Sequence, residues 1–289
     1  MEQADVVVIG GANIDIKAKS NNRNILGTSN PGEVTISAGG VGRNIAHNLA
    51  RLGADVALIS VVGNDAHGDL LIEQTSAAGV DVTAIFRQTF ATGTYVALLD
   101  SNGELVTALS DMRAVEIITP QFMASYFDKL QAAQLVVADC NLPLATLHAI
   151  AEVAAHKLVI ETVSVPKCEK LLQVAAKTPI LLTMPNFDQV EQLTGTREIQ
   201  GAIKRLHQHG IQNIVIHAGA EGAFASDGKI ISHIPTQASG KIVDVTGAGD
   251  AAVAGLLFGL LQGESLEVAA ASGQEQAARV IASSRSTLD

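Results

Sequence analysis

Short, unbroken apolar runs rich in Val, Ile and Leu recur at Val6–Ile9, Val56–Val62, Leu135–Ala138, Leu158–Ile160, Ile180–Thr183 and Ile214–Ile216, bounded by turn-forming residues. A run without polar alternation has no wet face, so these segments predict strands covered on both sides. Helical spacing lies between them. It is clearest at Arg43–Leu52, where Ile45, Leu49 and Leu52 recur at i, i+4 and i+7 while Asn44, Asn48 and Arg51 point elsewhere, and Gly53 ends the pattern. Strands alternating with helices predict an α/β fold, a three-layer sandwich around a mainly parallel sheet.

Two stretches break that rhythm. Residues 14–37 and 94–109 alternate at period two without helical spacing, and Asp100-Ser101-Asn102-Gly103-Glu104 supplies a hairpin turn to the second. They predict a small, helix-free β layer formed by about 14–37 and 94–111. One face of such a layer lacks a helix, so it is expected to close over a ligand, pair with another subunit, or do both. No fixed-period repeat, low-complexity tract or long linker interrupts the 289 residues, and one domain spanning 1–289 is expected.

Composition narrows the choice of function. Apolar residues make up 47% and charged residues 17%, below the usual charged share of about 25%, so burial of surface against another copy is expected. The formal net charge of −10 repels a phosphate backbone, which argues against nucleic acid as a partner. Cys140 and Cys168 form neither a C-x-x-C pair nor a Cys/His cluster, so no disulfide framework or zinc site is expected and a reducing cytoplasm fits. The start, Met1-Glu2-Gln3-Ala4-Asp5, is acidic where a signal peptide is basic. The longest apolar run, Ala251 to Leu261, is too short to span a bilayer.

The strongest chemical signal is Asp244-Val245-Thr246-Gly247-Ala248-Gly249-Asp250-Ala251-Ala252, which follows the strand-like Lys241–Val243 and opens an apolar helix running to about Leu261. Glycines at a helix N-terminus expose backbone N–H groups to an anion, and the helix dipole adds positive potential. Asp250, in the first turn, would accept a proton from an attacking hydroxyl beside that cradle. A purely structural reading competes, because Asp suits the first turn of any helix and Gly-x-Gly also serves tight packing. The dinucleotide fingerprint G-x-G-x-x-A matches locally but needs a following strand, and Ser265–Ala282 has helical composition. No Walker-type G-x-x-x-x-G-K-[ST] occurs.

A second signal joins Gly39-Gly40-Val41-Gly42-Arg43-Asn44, a glycine-rich turn into the amphipathic helix, to Gly11-Ala12-Asn13-Ile14-Asp15 after the first strand. Short polar side chains beside glycines suit vicinal hydroxyls, so Asn13, Asp15 and Asn44 are candidate sugar binders. Turn capping by Asn13 and Asp15, with Asn44 on a wet helix face, is the bland alternative. His207 and His209 precede Gly210 at a helix end and suit the negative pole of its dipole better than a metal. Neither H-E-x-x-H nor G-x-S-x-G is present, so zinc peptidase and α/β-hydrolase readings have no anchor.

Gly39-Gly40 with Asn44, together with Asp244 through Asp250, resemble the two signatures of the ribokinase-like (phosphofructokinase-B) carbohydrate and nucleoside kinases, across essentially the whole chain. Ser29-Asn30-Pro31-Gly32, Gly40 through Ala46, Ser110-Asp111-Met112, Val137 through Asn141, and Val163-Ser164 followed by Lys167-Cys168 are similar to the pseudouridine kinases within that family. The resemblance implies Asp250 as catalytic base and Gly247, Ala248 and Gly249 as an anion hole. It implies Asn13, Asp15, Gly39, Gly40 and Asn44 as ribose binders, and Thr94, Asp111 and Lys167 as contacts to the base. Asn186 would lie near the nucleotide phosphates and Mg²⁺, Gly219 and Gly222 beside the nucleotide, and Asp244 and Thr246 at a monovalent-cation (K⁺) position. The implied activity is ATP-dependent phosphorylation of the 5′-hydroxyl of pseudouridine, with another nucleoside, a free sugar, or a binding homologue without turnover as alternatives. A homodimer through the β lid is implied. Three departures fall on the nucleotide side. Gln189 stands where N-x-x-E has its carboxylate, Glu161-Thr162-Val163 replaces Asp-Pro-Val, and His217 precedes Ala218-Gly219 where a Thr is usual.

Overall fold

The computed structural model describes residues 4–236, 242–283 and 285–289. Its central sheet has nine strands. In spatial order they are β13 (Ile231–Ile234), β12 (Ala223–Ser226), β11 (Ile211–His217), β10 (Ile180–Thr183), β9 (Leu158–Glu161), β8 (Leu135–Asp139), β1 (Val6–Ile9), β4 (Val56–Gly63) and β5 (Ile85–Gln88). Pairing is parallel from β11 to β5, and the β11–β12 and β12–β13 pairs are antiparallel.

The apolar runs are strands because both their faces are dry. In β1, Val7 and Ile9 enter one core while Val6 and Val8 enter another, and Val136 and Ala138 of β8 divide from Leu135 and Val137 in the same way. One helical layer holds α1 (Val41–Arg51), α9 (Ala248–Leu261) and α10 (Leu266–Ile281), whose Ile45, Leu49, Val253, Leu256 and Ala269 fill the second core. The opposite layer holds α3 (Pro120–Met123), α4 (Phe127–Ala132), α5 (Leu144–Ala154), α6 (Val165–Ala175), α7 (Phe187–Thr194) and α8 (Ile199–Gln208) over the first core. No helix among the described residues is long and apolar enough to cross a membrane.

The period-two stretches form a separate four-stranded sheet ordered β3 (Gly32–Gly39), β2 (Asn13–Ser20), β6 (Gly93–Leu99) and β7 (Leu105–Asp111). Its inner end packs on α2 (Ala66–Ala77), where Ile14, Ala38 and Leu71 make a small third core. One expectation fails here: Ile242 and Val243 are not in a strand, and Lys241 lies outside the described residues. Both apolar side chains are exposed, and the segment is held instead by the Val243 N–H donating to the Ile281 carbonyl of α10.

Candidate active site

A buried carboxylate ties the site together. At the end of β8, Asp139 Oδ2 accepts the Gly11 N–H at 2.8 Å and the Gly42 N–H at 3.1 Å, drawing the turn after β1 and the start of α1 to one point. Its other oxygen accepts the Asn141 N–H at 2.9 Å. Burial pushes its pKa up, against the pull of these donors. Sequence reading missed Asp139 as a site residue, because nothing in a strand-ending Asp shows that two distant amides converge on it.

From α1, Asn44 Nδ2 donates to Asp250 Oδ2 at 2.8 Å across to the first turn of α9. The amide's orientation is set from behind, since Asn44 Oδ1 accepts from the buried Arg43 guanidinium at 3.0 Å. Arg43 also reaches Thr75 Oγ1 at 3.2 Å. The expected base and an expected sugar binder are therefore hydrogen-bonded partners. Burial raises the Asp250 pKa well above the usual carboxylate value, the Asn44 bond opposes this, and the charges of Glu161, Asp139 and Asp15 add to the rise.

On the small sheet, Asn13 Nδ2 donates to Asp15 Oδ1 at 2.6 Å, and burial pushes the Asp15 pKa up despite that bond. Gly39 lies opposite Asn13 and leaves room only for Asp15, because a Cβ at Gly39 would overlap the Asp15 carboxylate. Gly39→Ala is thus expected to displace Asp15 and raise the KM for the acceptor by about tenfold, the scale of a lost hydrogen bond to a charged group. Steady-state kinetics check this, and an unchanged KM would remove Asp15 from the acceptor site. Gly40 is the N-cap of α1.

The pairing register sets two of the expected base contacts apart from Asn13 and Asp15. Ile14 is opposite Thr94, and Thr94 is opposite Asp111, so both share the Ile14 face of the sheet rather than the Asn13 and Asp15 face. Asp111 is exposed and paired with Arg113 at 2.6 Å. The face with Asp15 carries Tyr95 and Ser110 instead, one residue out of step. Lys167, at the start of α6, is half-buried and donates to Asn141 Oδ1 at 2.6 Å, two residues beyond Asp139. Burial lowers its pKa.

The glycine-rich start of α9 has the predicted form. Gly247 is the N-cap in the left-handed region (φ 79°) with no side-chain cap, and of the first-turn donors the Ala248 N–H turns back to the Val245 carbonyl at 3.3 Å while the next is left to a ligand. Space beyond Gly249 is open, with nothing within 4 Å of a Cβ placed there. Upstream, Asp244 Oδ1 accepts the Thr246 N–H at 2.8 Å. Lys17 of β2 reaches over from the small sheet, its Nζ 2.6 Å from Asp244 Oδ2 and 2.9 Å from Thr246 Oγ1.

The residues expected on the nucleotide side lie on adjoining segments. Asn186 forms an isolated bridge with His217, which leads into the turn Gly219–Glu221 and Gly222. The His217 Nε2 atom is buried without a partner, and burial lowers the imidazole pKa to about 4, so a neutral ring with a spare hydrogen-bonding atom faces this side. That orphan atom fits a nucleotide. Gln189 is not free to hold a metal or its waters: Oε1 accepts the Asn186 N–H and the Thr162 hydroxyl, both at 2.8 Å, in a capping box at the start of α7. A carboxylate remains nearby in Glu161, pushed up to about 7 by burial first and by Asp139 among others. The turn holding it bends at Val163, the one non-glycine residue with positive φ (64°) among the described residues. Asp139 raises the Glu161 pKa, and the charges of Glu161 and Asp139 add to the rise at Asp250, so negative charge gathers here and a cation arriving with nucleotide phosphates fits Glu161 and Asp250 better than the neutral, already bonded Gln189. Among the described residues no three His, Cys, Asp or Glu side chains gather as a self-sufficient metal site.

The Asn44–Asp250 bond joins α1 to the uncapped glycine start of α9. Over residues 3–289 the chain matches the pfkB family of carbohydrate kinases, and it belongs to that family. It is a phosphotransferase acting on a hydroxyl group of a sugar or nucleoside. A pseudouridine kinase of Escherichia coli K12 is 36% identical over 261 residues, 88% of this chain and 83% of that protein. The uncharacterized sugar kinase YeiI of the same organism is 36% identical over 269 residues, 91% and 74% of the two chains. Among solved structures, a carbohydrate kinase from Agrobacterium tumefaciens is 32% identical with a TM-score of 0.82, covering 98% of this chain and 92% of that one. An Arabidopsis thaliana ribokinase complexed with ribose and ATP shares the fold, with a TM-score of 0.88 at 22% identity and coverage of 98% and 94%.

Proposed function

We propose that this kinase transfers the γ-phosphate of ATP to the 5′-hydroxyl of pseudouridine. The observation that carries the reading is the Asn44–Asp250 hydrogen bond at the uncapped start of α9, which puts a carboxylate of raised pKa beside free backbone donors. Asn13, Asp15 and Asn44 hold the ribose hydroxyls, and Asp250 takes the 5′-hydroxyl proton as that oxygen bonds to the γ-phosphorus. The bond from phosphorus to the bridging β,γ oxygen breaks, and ADP leaves with that electron pair. The N–H groups of Gly247 and Gly249 face the charge on the transferring phosphoryl group, and that of Ala248 joins them by giving up its 3.3 Å bond to the Val245 carbonyl. Mg²⁺, when bound with the nucleotide, supplies charge neutralisation at the phosphate oxygens, with Glu161 and Asp250 on its side of the cleft. Asn186, Gly219 and Gly222 border the nucleotide, and His217 offers Nε2 to it.

Discrimination rests on the base, since uridine and pseudouridine share a ribose. The extra N–H of pseudouridine lies on the edge next to the glycosidic bond, and the half-buried Lys167–Asn141 pair offers a carbonyl to it. A site built to hydrogen-bond a group rejects the analogue without it, because its own polar atoms go unpaired. Pseudouridine is expected to exceed uridine in kcat/KM by at least about tenfold, and Asn141→Ala or Lys167→Ala to narrow the gap. Kinetics with both nucleosides on wild type and variants check it, and an unchanged gap in both variants would take base recognition away from this pair.

The lid is proposed to pair with a second copy. Val34, Ile36, Val96, Leu98 and Leu109 share the Ile14 face by register and are all exposed, Leu109 by 75%. Sedimentation at twice the chain mass is the expected result, and Ile36→Lys with Leu109→Lys should give the monomer.

A further inference from the structure

A monovalent cation at Asp244 and Thr246, which the family resemblance implies, does not fit the residues present. Both oxygens that would bind it are already in contact with a positive charge. Lys17 Nζ lies 2.6 Å from Asp244 Oδ2 and 2.9 Å from Thr246 Oγ1. The second Asp244 oxygen is taken by the Thr246 N–H at 2.8 Å. Burial alone would raise the Asp244 pKa, but the Lys17 and Thr246 hydrogen bonds outweigh it and hold the carboxyl below its usual value, so the carboxylate is fully ionised opposite the ammonium. A metal cation added to the same oxygens would lie within a few ångströms of the Lys17 charge and be repelled.

We propose that the Lys17 ammonium is a built-in cation for the segment entering α9, doing there what a bound monovalent cation would otherwise do, so that phosphoryl transfer needs no K⁺. Lys17 is a positioning residue. Its stem crosses from β2 of the small sheet to a segment 227 positions away in sequence. The segment's other anchors are the Val243 and Asp244 N–H groups, which donate to the Ile281 carbonyl at 2.9 and 3.4 Å, and the close packing of Gly247 on the Ser286 backbone. Without the ammonium, the Asp244 side chain keeps only the Thr246 N–H, and the helix start that follows loses the side-chain brace that fixes its direction. A tethered ammonium is present at high effective concentration whatever the salt, whereas a free ion must be drawn from solution. The pair is also sheltered, with Lys17 and Asp244 side chains 25% and 30% exposed, so bulk salt screens it less than an open surface pair. The same contact couples the lid to the anion hole, because movement of β2 moves the charge that orders the loop.

The test compares KCl, NH₄Cl and tetramethylammonium chloride at constant ionic strength, for wild type and Lys17→Met, which keeps the stem and removes the charge. Wild type is expected to turn over at the same rate in all three salts and to show no melting-temperature response to K⁺ or NH₄⁺. Lys17→Met should lose about tenfold or more of kcat in tetramethylammonium, the scale of one charge-assisted hydrogen bond. It should regain much of that with K⁺ or NH₄⁺, and melt higher in those salts alone. The melting comparison uses no acceptor, so it stands if the pseudouridine assignment fails. Wild type activated and thermally stabilised by K⁺ would overturn the proposal, as would a Lys17→Met enzyme with wild-type kcat in tetramethylammonium. Loss of activity in Lys17→Met with no cation response in rate or melting would also overturn it. If Lys17→Met does not fold, Lys17→Gln takes its place, and the wild-type salt comparison decides without either.

Discussion

Asp250→Asn is expected to lower kcat by at least about a hundredfold, the usual share of a general base, while acceptor binding survives. The amide keeps the shape of the carboxylate and can still meet Asn44, but it has no lone pair basic enough to take the 5′-hydroxyl proton. Because burial and the neighbouring carboxylates hold the Asp250 pKa well above its ordinary 3.8, wild-type kcat/KM should fall as pH is lowered through that raised value. The same shift has a stability consequence of known sign. A carboxyl with a higher pKa in the folded state binds its proton more tightly there, so its contribution to stability is lost as pH rises from the unfolded pKa through the folded one. Asp250→Asn removes that loss and is expected to melt at or above the wild-type temperature at neutral pH. Near-normal turnover in the variant would contradict the assignment of the base.

Gly247→Ala should be comparably severe for a different reason. Residue 247 sits at φ 79°, where a Cβ is strained, and that Cβ would overlap the Ser286 carbonyl, which is backbone and cannot swing away. We expect a stability loss of about 2 kcal/mol and a fall in kcat of about a hundredfold or more as the helix start is displaced. Gly249→Ala separates the two effects. Nothing in the protein lies within 4 Å of a Cβ at 249, so the fold should melt as wild type. The methyl group instead enters the open cleft where the phosphoryl group must pass, and turnover should still collapse. Chemical denaturation beside kinetics checks both, and a fully active Gly249→Ala would move the anion hole elsewhere.

The sequence carried the sheet far better than the contacts between its layers. Val6–Ile9 and Ile180–Thr183 are strands with those very limits, because a run buried on both faces has no polar alternative to extend into. The missed strands β5 and β13 are part-exposed, with polar residues breaking the apolar run, and β12 is mostly buried but carries Ala and Ser where the legible strands carry Val, Ile and Leu. At the site, the helix start at Gly247 and the candidates Asp250 and Asn44 were legible as motifs. Thr94 and Asp111 rest on the resemblance alone, because period-two alternation fixes which residues of one strand share a face, but not which face of its neighbour they join. The same gap hid Tyr95 opposite Asp15 and Lys17 opposite Asp244. Gln189 shows a further limit. A Gln for a Glu reads as a lost metal contact, whereas its carbonyl caps α7 and meets Thr162. The structural role of His207 was readable, and its ring bridges Ile211 O and Ser226 Oγ.

The most direct measurement is ADP release from ATP and Mg²⁺ with pseudouridine, uridine, other nucleosides and free ribose, with the product's phosphate position read by ³¹P NMR. The predicted result is turnover with pseudouridine at a kcat/KM at least about tenfold above uridine, phosphate on the 5′ oxygen, and loss of signal in Asp250→Asn. Equal use of uridine, or a clear preference for free ribose, would contradict the pseudouridine assignment. Absence of ADP release with every acceptor would contradict the catalytic reading of the Asn44–Asp250 pair itself.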